Sequence, residues 1–86
     1  MKKIVETSET AGLEALLGER VLLMCANYFY TGELEAVNGF FVRLKNPSII
    51  YETGPFNEKG YKDAQKLHAE FWHVERSAIE SYGVSK

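Results

Sequence analysis

GLEALLGERVLLMCANYFYTGELEAVNGFFVRLKN, residues 12–46, is the stretch whose reading decides the fold. Leu13, Leu16 and Leu17 fall at i, i+3 and i+4, the spacing of one helix face. Thr7, Ser8 and Thr10 are available as N-caps, and Gly18 suits the position just past a helix end. A short helix over residues 8–18 is therefore predicted, although Gly12 inside it costs about 1 kcal/mol against Ala. So short a helix does not persist alone in water, and its leucines need a sheet to pack on. Residues 21–28 form a continuous β-prone run, as in a strand buried on both faces. Residues 30–37 alternate, with Tyr30, Gly32, Leu34 and Ala36 on one face and Thr31, Glu33, Glu35 and Val37 on the other. Gly32 within a strand marks a bend or bulge. Asn38-Gly39 is a strong hairpin signal and predicts a type I′ turn. Residues 40–44 return as the next strand, so three strands occupy residues 20–46.

Beyond this stretch the signals weaken. Pro47 is expected to break the strand or confine it to an edge. Residues 48–51 either continue that strand or begin another. Residues 53–60, TGPFNEKG, have loop chemistry, and residues 63–67 suggest one helical turn. Residues 47–69 are thus read as an insertion loop. Residues 70–82 supply two closing strands with little between them, and residues 1–7 form a tail. No internal repeat and no low-complexity tract is present. A helix followed by about five short strands argues for one mainly β domain, a small bent five-stranded barrel with a short N-terminal α-helix.

Composition narrows the function. The chain has 86 residues, so one domain is expected. A domain of this size buries only about 60–65% of the surface its unfolded chain exposes. Five Phe, five Tyr and one Trp are hard to hide in so small a core, which points to a subunit interface or a binding surface. The net charge of −2 lacks the basic footprint of a sequence-blind nucleic-acid binder, so any RNA site must be local. Cys25 is the only cysteine, which excludes an internal disulfide and a cysteine-based zinc site. The first residues have charge but no apolar core of a signal peptide, and the longest apolar run, residues 21–26, is too short to span a bilayer. The cytoplasm is the expected compartment, with no membrane partner.

The ordered set of elements resembles the Sm/LSm family, nearest its bacterial Hfq branch. Leu13-Glu14-Ala15-Leu16-Leu17-Gly18-Glu19-Arg20-Val21 is similar to the end of the Hfq helix and its first-strand entry. Gly32 falls where Sm-like proteins place a bend glycine. Asn38-Gly39-Phe40-Phe41 falls on the turn of the first Sm motif. Leu44-Lys45-Asn46 is similar to the Hfq ending of strand three, and Arg76-Ser77-Ala78-Ile79 falls on the Hfq Lys-His-Ala-Ile element. These motifs span about two thirds of the chain. The departures are specific. Asn38 replaces the family's turn aspartate and Phe41 the base-pairing asparagine of eukaryotic Sm proteins. Arg76-Ser77 replaces the Lys-His pair, and Arg20 alone remains of the arginine-rich rim. Residues 47–69 are inserted. A divergent branch, such as those carried by phages, has this character. The resemblance implies a homo-oligomeric ring of five to seven copies that holds single-stranded RNA without catalysis. The alternative is a diverged ring that serves as a protein-interaction or structural module. A monomeric SH3-like adaptor is a minor third reading.

The candidate RNA-binding residues are Asn38, Phe40, Phe41, Arg76 and Ser77. An aromatic ring stacks any base for about 1–3 kcal/mol. Strand alternation, however, puts Phe40 with Val42 and Leu44, which is a core position, and Phe41 with Arg43 and Lys45. Arg76 has a planar fork suited to phosphate or a base edge, with Ser77 adding a hydroxyl. It could equally be a solvated arginine paired with Glu75 or Glu80. Asn38 needs no ligand to explain it, because Asn-Gly is turn chemistry. Tyr28, Phe29 and Tyr30 either stack bases or pack an interface. Phe71, Trp72, Val74 and Ile79 are the candidate oligomer-interface residues, since a small barrel must cover its strand edges. His68 and His73, with Glu70 and Glu75, are too scattered for a metal site. No catalytic framework and no cofactor signature is present, so an enzyme is not expected.

Overall fold

In the computed structural model the described residues are 12–86. The predicted tail 1–7 and the start of the predicted helix lie outside them. The described part of that helix, Leu13–Leu16, is a single 3-10 turn rather than α-helix. Gly18 closes it with a left-handed φ of 87°, as a glycine past a helix end does. Its N–H then donates to the Leu34 carbonyl at 2.8 Å. The turn is kept by packing: Leu13 is buried in the core, Leu16 rests against it, and Leu17 is exposed.

Six antiparallel strands follow in one sheet. They are β1 (Arg20–Cys25), β2 (Phe29–Val37), β3 (Phe41–Glu52), β4 (Asp63–Lys66), β5 (Phe71–Glu75) and β6 (Ile79–Val84). The order is β4-β3-β2-β1-β6, and β5 also pairs with β3. The long β3 is the spine. Its first half, residues 41–45, takes β5, and its second half, residues 48–52, takes β4. A 3-10 turn, Arg76–Ala78, is all that separates β5 from β6. The expected mainly β domain is found, with six strands rather than five, and among the described residues the sheet does not close on itself.

Two predicted features of β3 are corrected. Pro47 does not end the strand, and residues 47–69 are not a plain loop. Thr31 pairs with Ser48 and Glu33 with Lys45, so Asn46 and Pro47 together face Gly32 in a bulge. A bulge needs no ladder donor from proline, which is why the strand continues through it. Asn46 provides the irregular conformation, at φ 51°, and Pro47 is buried. Gly32 provides the clearance, since a Cβ there would lie 3.0 Å from Leu44 Cβ and 3.1 Å from the Lys45 carbonyl oxygen. Of residues 63–67, read as a helical turn, residues 63–66 are instead β4, paired with the extension of β3.

One core unites the sheet: Leu13, Val21, Leu23, Cys25, Leu34, Val42, Leu44 and Val74. In β3 alternation places Val42 and Leu44 inward, as the sequence indicated, and β1, read as an unbroken apolar run, contributes Val21, Leu23 and Cys25. Along β2 the alternation changes phase. An extra residue, Glu35, lies between the pairs Leu34–Leu44 and Ala36–Arg43. Val37, assigned to the outer face, consequently packs on the core. Thr31 is the one buried polar residue among those described, and its hydroxyl donates to the Val21 carbonyl at 2.9 Å.

Candidate nucleic-acid interface

The hairpin between β2 and β3 is built on a side chain, not on a type I′ turn. Neither Asn38 nor Gly39 has the positive φ that such a turn requires. Instead Asn38 Oδ1 accepts from the N–H of Phe40 at 2.7 Å and of Phe41 at 2.8 Å. The Asn38 N–H donates to the Phe41 carbonyl at 3.1 Å. This Asx-type closure lifts Gly39 and Phe40 out of the ladder. Phe40 is therefore 82% exposed, and the alternation that assigned it to the core does not reach it, because β3 begins at Phe41. Phe41 is half-buried, with its ring edge-on to His73 at a centroid distance of 5.0 Å.

Arg76 is brought to this turn from the far end of the chain. Its backbone N–H donates to the Phe40 carbonyl at 2.8 Å. Its Nη1 donates to the Asn38 carbonyl at 2.9 Å, and its Nη2 to Glu14 Oε1 at 2.5 Å. Glu75 and Glu80, the partners anticipated from sequence, are not used. Glu14 was missed, since nothing in local spacing joins residues 62 positions apart. Glu14, Asn38, Gly39 and Arg76 line an open depression of about 490 Å³. The site thus offers an exposed aromatic face, an anchored guanidinium and a carboxylate that offsets part of its charge. Ser77 is exposed in the 3-10 turn after β5. Of the five candidate residues, Asn38, Phe40, Phe41 and Arg76 are joined by hydrogen bonds, and Ser77 follows Arg76 in sequence.

The remaining candidates divide by burial. Val74 is in the core and Ile79 packs against it. Phe71 is half-buried under the Arg43 guanidinium, 5.2 Å from its ring centre, and Arg43 also pairs with Glu35 at 3.2 Å. Trp72 is 39% exposed. It borders a cleft of about 200 Å³ between β5 and the β1–β2 turn, which Cys25, Tyr28, Tyr30 and His73 also line. Burial pushes the Cys25 thiol up from its ordinary pKa. Tyr30 is raised as well, first by burial and then by the neighbouring Cys25, Tyr28 and Tyr51. Both stay protonated at neutral pH, so neither supplies an anion to the cleft. Tyr28 stands edge-on to Tyr51 at 6.3 Å. Among the described residues there is no cluster of His, Cys, Asp or Glu able to hold a metal ion, and no helix is long and apolar enough to cross a membrane.

No protein-family model matches the chain, and no curated protein matches its sequence.

Proposed function

We propose that this chain is an Sm-like RNA-binding protein that acts in the cytoplasm as a homo-oligomeric ring of five to seven copies. The observation that carries this reading is Phe40, an aromatic side chain 82% exposed at a hairpin tip beside an anchored arginine. Phe40 is the most exposed large hydrophobic side chain among the described residues, and base stacking would cover the ring face it leaves in water. Arg76 adds a cation next to it in the fold, its backbone N–H bonded to the Phe40 carbonyl. Its fork is held by Asn38 and Glu14, so it contributes a positioned contact rather than a long-range field. Strand edges support the ring: among the described residues β4 and β5 each pair with β3 alone and β6 with β1 alone, so each offers an edge to a neighbouring copy. Trp72 and Phe71 lie on β5 where such a junction would form. Repetition of one weak site around a ring multiplies its avidity.

The Glu14–Arg76 pair favours a second reading, in which a diverged ring binds a protein instead of RNA. With that cation neutralised and a net charge of −2, electrostatic attraction to phosphate is small. Anisotropy of labelled oligo-U and oligo-A with Phe40→Ala and Arg76→Ala separates the two. RNA binding through this site requires both substitutions to weaken the complex, Phe40→Ala by about 5- to 150-fold, equivalent to the loss of one stacked base. Equal binding by wild type and both variants would place the RNA elsewhere, and no binding by any of them would leave the protein-interaction ring.

A further inference from the structure

The connection between β3 and β4, residues 53–62, plays no part in the proposed RNA site, yet its carbonyls converge on one cation. Lys86 Nζ donates to the Thr53 carbonyl at 2.8 Å and to the Pro55 carbonyl at 2.7 Å. The same nitrogen lies 5.2 Å from the centre of the Phe56 ring and 5.1 Å from that of Tyr61. Among the described residues no carboxylate comes within ion-pair distance of it. The ammonium is held by backbone dipoles and aromatic faces alone.

The walls are braced by contacts that do not involve the ammonium. Tyr61 Oη and Ser85 Oγ are 2.6 Å apart, and the Ser85 N–H donates to the Arg20 carbonyl at the start of β1 at 2.8 Å. The Glu58 N–H donates to the Pro55 carbonyl at 3.3 Å, and the Lys62 N–H to the Thr53 carbonyl at 3.4 Å. Gly54, between the two carbonyl-bearing residues, has a φ of 68°, the left-handed conformation that glycine adopts without strain. The geometry points to a preformed primary-alkylammonium site in this connection, with the chain's own Lys86 as its resident ligand. The chemistry is selective. A primary ammonium carries three N–H donors, of which the carbonyls take two, while its charge faces the rings. A quaternary ammonium satisfies the rings but has no donor for the carbonyls.

The test uses the full chain with Lys86→Ala, followed by NMR of the backbone amides and aromatic rings. Removal of the side chain is expected to shift Gly54, Phe56 and Tyr61. Added n-butylammonium chloride should return those resonances saturably toward their wild-type positions at millimolar concentration. Tetramethylammonium chloride should not, and the wild-type spectrum should respond to neither salt. Adding Phe56→Leu to the Lys86→Ala chain should weaken the n-butylammonium titration. The inference is overturned if Lys86→Ala leaves the loop resonances in place, if n-butylammonium fails to move them, or if tetramethylammonium moves them equally. None of these readouts depends on RNA.

Discussion

Gly32 shows how much one residue determines here. Its missing side chain lets β3 cross β2 at the Asn46–Pro47 bulge, since a Cβ there would lie 3.0 Å from Leu44 Cβ and 3.1 Å from the Lys45 carbonyl oxygen, a few tenths of an ångström inside ordinary contact. Gly32→Ala should lower stability by about 1–3 kcal/mol, the cost of overpacking a filled site, read as a shift in the urea midpoint. That position was legible in the sequence because a glycine inside a strand has few other uses. Phe40 was legible only as a candidate. Period-two alternation sent it to the core, and the two N–H bonds to Asn38 Oδ1 that lift it into solvent have no signature beyond the asparagine itself. Glu14 was not legible at all as the partner of Arg76, since the contact exists only after the sheet has brought the two together.

At the scale of elements, the first three strands were legible because alternation and turn residues agree over residues 20–46. The second half of β3 was not. Proline argues against a strand, and the signal that overrules it, the left-handed Asn46 beside a facing glycine, is spread across two strands. The same extension creates β4, whose four residues are too short and too polar to show a period. The bulge makes a specific prediction. Asn46→Gly should leave stability within about 0.5 kcal/mol of wild type, because glycine adopts φ 51° freely. Asn46→Val should cost about 1–2 kcal/mol, since a β-branched residue pays in full for the left-handed region. Equal unfolding midpoints for the two variants would show that the bulge does not depend on this conformation.

For the whole molecule, the open sheet sets the expectation. Among the described residues β4, β5 and β6 each leave one strand edge unpaired, and Trp72, Tyr28 and Tyr82 are exposed, features that a neighbouring copy would cover. In the proposed ring, Trp72→Glu should lower the mass measured by light scattering toward that of a monomer while keeping the far-ultraviolet spectrum of the sheet. Val74→Glu should instead unfold the chain, because Val74 is 5% exposed and an unpaired charge there has no compensation. An unchanged mass for Trp72→Glu would remove β5 from the junction. The acidic balance of the chain makes RNA binding the claim most exposed to contradiction. Fluorescence anisotropy of labelled oligo-U and oligo-A, titrated with the wild-type chain at low and at near-physiological salt, addresses it directly. A stacking ring predicts saturable binding that survives moderate salt, whereas no binding, or binding abolished by a small addition of salt, would contradict it.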